Sequence, residues 1–174
     1  GTGGDRRLLV LLNPDAEHLH ADMCQLRVAG RFDAVLLHDA VMYLRSPDQL
    51  RAAFATAYAH LRPGGALLVL PDLVAETFEE HSVMGGRQDG DRAIQLMEWH
   101  WDPDPTDDTY QVDFAMLVRD PDGTVRCHHD QHTLGLFSSE TFVRLLCEAG
   151  FELLLPEPWV QVEGSEVFLA RRRM

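Results

Sequence analysis

Phe32-Asp33-Ala34-Val35-Leu36-Leu37, followed by His38-Asp39-Ala40, and later Pro63-Gly64-Gly65-Ala66-Leu67-Leu68-Val69-Leu70-Pro71, is the stretch that decides the fold. Two short continuous apolar runs, with enough chain between them for a crossover, are the pattern of parallel strands covered by helices on both faces. Phe32 to Pro71 therefore reads as a βαβ unit. The helix between them is marked at its start. Ser46 is an N-cap, Pro47 takes the first helical position, Asp48 suits the helix dipole and Gln49 completes a capping box. Leu50, Ala53, Phe54, Ala57 and Leu61 recur at the spacing of one buried face, and Pro63-Gly64-Gly65 stops the helix. In an open parallel sheet the ligand crevice lies beyond the carboxyl ends of the strands, which points to His38, Asp39 and Asp72.

Outward from this unit, the 174 residues suit a single domain, 1–174, large enough to bury a core. A formal net charge of -13 argues against binding nucleic acid through its phosphates, or anionic membranes, and leaves small molecules or proteins as partners. Cys24, Cys127 and Cys147 show no CxxC spacing and are odd in number, which reads as reduced, buried thiols of a cytoplasmic protein. All 15 basic residues are Arg, a GC-rich coding bias that says nothing about mechanism. No signal peptide and no apolar run of about 18 residues stands in the sequence, so nothing supports secretion or a membrane span.

On the amino side, Glu17 to Met23 reads as a strand. On the carboxyl side, Pro71 to Phe78 leaves the sheet into an insertion. Gly85-Gly86-Arg87-Gln88-Asp89-Gly90-Asp91 reads as a loop. Glu98-Trp99-His100-Trp101 and the acidic run Asp102 to Asp108 follow. Tyr110, Val112, Phe114, Met116 and Val118 then alternate on one face, Asp120-Pro121-Asp122-Gly123 turns, and Thr124 to Thr133 returns as the second strand of a hairpin. The return strand places His128 and His132 on one face and His129 on the other. A metal would need three or four convergent ligands, which this His-His-Asp-Gln-His run does not provide by itself. Ser138-Ser139-Glu140 starts a helix with Phe142, Leu145, Leu146 and Ala149 inward, and Gly150 with Phe151 closes it. Phe151 to Leu155 and Glu166 to Ala170 read as the last strands, joined around Pro156-Glu157-Pro158-Trp159.

Gly30-Arg31-Phe32-Asp33-Ala34-Val35-Leu36, with Leu61-Arg62-Pro63-Gly64-Gly65-Ala66-Leu67-Leu68, resembles the fourth strand, fourth crossover and fifth strand of class I S-adenosylmethionine-dependent methyltransferases. His128 to Phe137, the helix after it and Ala149-Gly150-Phe151 resemble the small-molecule branch, notably the amino-sugar N,N-dimethyltransferases. The resemblance covers about Glu17 to Arg171. It implies an α/β fold with a Rossmann-like, mostly parallel sheet, and an inserted cap, 73–137, whose antiparallel hairpin covers the crevice. The front of that fold is expected to be missing or remodelled: Gly1-Thr2-Gly3-Gly4 resembles only the tail of the family's glycine-rich loop, and Leu8 to Leu12 is all that separates it from Asn13-Pro14-Asp15.

The implied activity is methyl transfer from S-adenosylmethionine to a small-molecule amine or hydroxyl, of the kind found in natural-product metabolism. The implied cofactor residues are Gly1, Gly3, Asp15, Asp22, Met23 and His38, with the Asp22 carboxylate and the Met23 amide on the adenine. His38 and Asp39 are the catalytic candidates, His38 as a proton acceptor. Tyr43, Asp72, Trp99, His100 and Trp101 are the substrate candidates, the acids and aromatic faces suiting a cationic amine. An apolar Phe32 to Leu37 edge needs a cover, so a rearranged amino terminus or a homodimer is expected. Two other readings stand beside this one: a noncatalytic ligand-binding or partner protein derived from a methyltransferase, and a metal-dependent small-molecule enzyme using the histidine run.

Overall fold

The computed structural model describes residues 13–154 and 166–174. Strand β1 (Phe32–His38) is followed by a 3-10 turn (Ala40–Tyr43), helix α1 (Pro47–His60) and strand β2 (Leu61–Leu70). β1 and β2 pair in parallel, Ala34 opposite Ala66 through His38 opposite Leu70, so the βαβ unit is present. α1 begins as the sequence predicts: the Ser46 hydroxyl accepts from the Gln49 amide at 3.3 Å, with Pro47 in the first turn. The Gln49 side chain accepts from the Arg45 amide at 2.7 Å, one residue before the expected capping-box partner. Leu50, Ala53, Phe54 and Ala57 are buried as one stripe, but the helix ends at His60 and Leu61 already belongs to β2. The Pro63-Gly64-Gly65 segment instead sits inside the extended run, at a register shift between β1 and β2.

Four strands follow as a separate antiparallel sheet in the order β3 (His81–Asp89), β4 (Arg92–Trp101), β5 (Thr109–Arg119) and β6 (Val125–Gly135). The expected β5–β6 hairpin turns at Asp120, whose carbonyl accepts from the Gly123 amide. Gly85 to Asp91, read as a loop, is instead most of β3 and the turn into β4, with Gly90 at φ 57. Cross-strand pairing overrides the weak strand propensity of Gly85-Gly86. Helix α2 (Ser139–Glu148) is capped by the Ser138 hydroxyl on the Thr141 amide at 3.1 Å and ends at Gly150, φ 96, as predicted. β7 (Phe151–Leu153) and β8 (Phe168–Arg172) pair antiparallel and complete the first sheet, ordered β1-β2-β8-β7.

Four expectations are corrected. Among the described residues only β1 and β2 are parallel, so the first sheet is mixed rather than mostly parallel. Glu17 to Met23 forms no strand and runs as loop and turn. β1 is largely exposed rather than covered on both faces, with Phe32 at 46% and Leu36 at 59% exposure. Cys127 and Cys147 are exposed, and Cys24 is only half-buried.

One apolar core joins the two sheets. Phe54, Leu67, Phe142, Leu145, Phe151 and Phe168 come from the first sheet and its helices, while Tyr110, Val112 and Leu134 come from the near ends of β5 and β6. The segment before β1 is tied to α1 by buried polar groups. Thr56 donates to the Cys24 carbonyl at 2.9 Å, and the His60 Nε2 accepts from the Val28 amide at 3.0 Å. His60 Nδ1 lies 2.7 Å from the Thr56 carbonyl, so both ring nitrogens are satisfied in the neutral form.

Candidate active site

The carboxyl ends of β1 and β2 bring His38, Asp39 and Asp72 together, as the sequence predicts. His38 Nε2 lies 2.9 Å from an Asp39 carboxylate oxygen. Asp39 has φ 47 and ψ -58, and is the one non-glycine residue with positive φ among the described residues. Such a backbone costs about 1–3 kcal/mol, and positions of this kind cluster at functional sites. Asp72 lies close enough to Asp39 for the two carboxyl groups to act on each other, so they share one small volume. Partial burial, and then the Asp39 carboxylate, push the Asp72 acid up to about 6, and His38 opposes the shift. Below that pH the pair holds a proton between them. Above it they present paired negative charge, a ready site for a cation.

The antiparallel sheet turns one face towards this crevice. Strand alternation puts His81 of β3, Glu98 and His100 of β4, Tyr110, Val112 and Phe114 of β5, and Asp130 and His132 of β6 on that face. His100 stacks on His81 with ring centroids 4.4 Å apart, and its Nε2 lies 3.4 Å from Glu98. Its Nδ1 is buried without a hydrogen-bond partner. Burial lowers the His100 pKa more than Glu98 raises it, favouring the neutral ring. Tyr110 is buried, and that burial, with Asp72 and Tyr43 as lesser causes, holds its hydroxyl well above the usual range. Tyr43 ends the 3-10 turn and hydrogen-bonds His132 Nδ1 at 2.9 Å.

The structure does not bring all the candidates together. Trp99 and Trp101 lie on the other face of the antiparallel sheet, stacked at 5.6 Å, where Trp101 Nε1 donates to Asp113 at 2.7 Å. His100, between them in sequence, is on the crevice face: period-two alternation separates what a single run of aromatics seemed to unite. His129 joins Asp113 on the outer face, away from His132, and no three His, Cys, Asp or Glu among the described residues converge as a metal-ligand set. Asp15 is exposed in a turn. Asp22 caps its own loop, one carboxylate oxygen accepting from the Cys24 amide at 2.8 Å. Met23 packs on the core and lines an apolar hollow of about 370 Å³ beside β1, with Leu26, Leu36 and Leu37. Gly1 and Gly3, with the whole of Gly1 to Leu12, fall outside the described residues. Like His81 and Tyr110, His132, paired with Tyr43, is a crevice residue that the sequence reading did not assign to the site. Its signal was present, since alternation from the buried Leu134 already put it on the inner face.

A fit to S-adenosylmethionine can be tested on these groups. Met23, Leu26 and Leu36 offer apolar walls to a purine, and the Asp39–Asp72 pair suits a sulfonium and an ammonium. The described residues fit the adenine and cationic ends.

Comparison with known proteins follows the same direction. Residues 6–69 match the model of a methyltransferase domain family. The chain is 29% identical over 143 residues to a dTDP-3-amino-3,4,6-trideoxy-alpha-D-glucopyranose N,N-dimethyltransferase of Streptomyces venezuelae, covering 80% of this chain and 59% of that protein. It is 27% identical over 142 residues to a dTDP-3-amino-3,6-dideoxy-alpha-D-glucopyranose N,N-dimethyltransferase of Streptomyces fradiae, covering 81% and 55%. The chain thus spans little more than half the length of these curated relatives. The crystal structure of Streptomyces venezuelae DesVI superposes with a TM-score of 0.84 at 24% identity, covering 96% of this chain and 70% of that one. CalS10 of Micromonospora echinaspora, an amino pentose methyltransferase solved with S-adenosylmethionine bound, superposes with a TM-score of 0.77 at 26% identity over the same shares. Residues 6–69 are thus similar to a methyltransferase domain, and the relatives named here are sugar N,N-dimethyltransferases, the branch that the sequence resembles.

Proposed function

We propose that this protein transfers a methyl group from S-adenosylmethionine to the amine of a small molecule, an amino sugar being the substrate class that its relatives suggest. The observation that carries the reading is the strained Asp39 carboxylate set against Asp72 and His38 at the carboxyl ends of two parallel strands, the crevice position of such sheets. When bound, S-adenosylmethionine supplies an electrophilic methyl on a sulfonium. Transfer forms an N–C bond as the C–S bond breaks, and the amine must present a free lone pair. Positioning supplies most of such a displacement, so the chain's residues hold and orient more than they react.

In this reading Asp39 and Asp72 attract the ammonium form of the acceptor, and His38 keeps the Asp39 carboxylate aimed into the crevice. His100, whose burial favours the neutral ring, walls the far side with its stacked partner His81, which suits a sugar or amine more than an anion. Asp22 and Met23 would meet the adenine, and the β5–β6 hairpin would cover the crevice. A homodimer covering the exposed β1 edge, and a cytoplasmic location, complete the proposal. For assembly it rests on the apolar side chains of β1, Phe32 and Leu36, standing open among the described residues.

The test is paired acceptors. Incubated with S-adenosylmethionine and a nucleotide-linked amino sugar, the protein should produce mono- and dimethylamine products, and the corresponding hydroxyl sugar should give none. Asp39→Asn with Asp72→Asn should raise the amine KM more than tenfold. Methylation of the hydroxyl sugar alone, or cofactor binding without any transfer, would sink the reading; the latter favours a noncatalytic ligand-binding protein.

A further inference from the structure

A second acid–base group lines the same crevice, and no comparison assigns it. Tyr43 Oη lies 2.9 Å from His132 Nδ1, and His132 Nε2 lies 3.5 Å from an Asp130 carboxylate oxygen. With the ring proton on Nε2, on the side of the Asp130 carboxylate, Nδ1 is the free lone pair and the Tyr43 hydroxyl donates to it. Phe114 meets the His132 ring edge-on, centroids 5.0 Å apart, and limits its rotation. The pairing depends on a close approach between elements. A Cβ on Gly135, three residues after His132, would collide with the Leu44 carbonyl, so glycine lets β6 come up against the residue that follows Tyr43. Tyr43 itself is 54% exposed.

Resting on the methyl-transfer reading, we propose that Asp130, His132 and Tyr43 form a proton relay that deprotonates the acceptor ammonium before transfer. The proton on the substrate nitrogen passes to the Tyr43 oxygen while the Tyr43 hydroxyl proton passes to His132 Nδ1. The nitrogen lone pair is freed, the imidazolium forms beside Asp130, and no electron changes hands. Tyr43 is the group that meets the substrate; His132 and Asp130 act through it. The proton then leaves to solvent, to which the His132 side chain is 32% exposed. The other titratable groups of this face that bear on His132 are His128 on β6, Tyr110 on β5, and Glu98 and His100 on β4, with His81 and Arg87 farther out on β3. From the floor come Asp72, Asp39 and His38. Of these, the carboxylates stabilise a forming imidazolium, as the relay requires.

The experiment compares Tyr43→Phe, His132→Gln and Asp130→Asn with the unaltered protein, measuring kcat and KM for an amine acceptor from about pH 6.5 to 9.5. General-base assistance is worth roughly 10²–10⁴-fold, so the first two variants should lose about 10²-fold in kcat near pH 7. The loss should shrink towards high pH, where the amine sheds its proton unaided. Calorimetric affinity for S-adenosylmethionine should stay within about twofold, and the ¹⁵N signals of the His132 ring should shift in Tyr43→Phe. A pH-independent loss, or none, overturns the relay while leaving methyl transfer standing. Failure of the unaltered protein to methylate any amine overturns both.

Discussion

Asp39 sits where a side chain with a Cβ is strained, and its replacement separates strain from function. Glycine adopts φ 47 freely but loses more chain entropy on folding, about 0.5–1 kcal/mol, against relief of about 1–3 kcal/mol. Asp39→Gly should therefore melt at or above the temperature of the parent protein while its amine KM rises. A lower melting point would show that the contacts to His38 and Asp72 outweigh the strain. Asp72 makes the complementary case. Its acid, ordinarily near 3.8, is raised to about 6 in the folded chain, so the native state binds the proton more tightly than the unfolded one. The stabilisation is full below about pH 3.8 and lost as pH rises through about 6. Asp72→Asn stays neutral, so it should melt higher than the parent at about pH 7.5 and match it near pH 3.5, as thermal denaturation at both pH values would read. At this scale the sequence was informative about chemistry: His38, Asp39 and Asp72 were found from strand ends alone. It could not reveal the strained backbone or the Tyr43–His132 bond, because both depend on how the 3-10 turn meets β6.

Helix α1 and the β5–β6 hairpin were legible because their signals are local: Ser46-Pro47-Asp48, the Leu50–Phe54–Ala57 stripe, and Asp120-Pro121-Asp122-Gly123 each carry their own physics. β3 was not, since Gly85-Gly86 have no intrinsic strand preference and are extended only because Leu96 and Gln95 lie opposite. Glu17 to Met23 failed the other way. Its residues can alternate, but among the described residues no neighbouring strand pairs with them, and the Asp22 carboxylate turns the chain on the Cys24 amide. The contact between β6 and the 3-10 turn is the element-level feature on which the crevice depends. Gly135→Ala forces the Cβ onto the Leu44 carbonyl, and overpacking of this kind costs about 1–3 kcal/mol. The variant should lower the midpoint of urea unfolding with its slope unchanged, and the Tyr43–His132 hydrogen bond should be lost from the imidazole spectrum. An unchanged midpoint would mean that β6 can retreat without cost.

Across the whole molecule, fold class was readable from Phe32 to Pro71 because a βαβ unit fixes handedness and crevice together, whereas the mixed sheet was not, since β8 pairs with β2 through residues about 100 positions apart. Charge acts at this longest range. With 28 acidic and 15 basic residues, the chain carries -13, and repulsion among the acids opposes the compact state. Local pairs work against that: Arg144 with Glu148 at 2.9 Å, Arg171 with Glu152 at 2.9 Å, and Arg126 with Asp120 at 2.6 Å. Each such exposed pair contributes about 0–1 kcal/mol, and screening weakens both effects. Repulsion should dominate, because it sums over many unpaired acids separated by distances comparable with the Debye length. That length falls from about 30 Å at 0.01 M salt to about 8 Å at 0.15 M. The melting temperature should accordingly rise when sodium chloride is raised across this interval at neutral pH. The rise should shrink near the isoelectric point of about 4.9, where the net charge vanishes. A melting temperature that falls with salt would mean that the arginine pairs, and not the net charge, set the electrostatic balance of the fold.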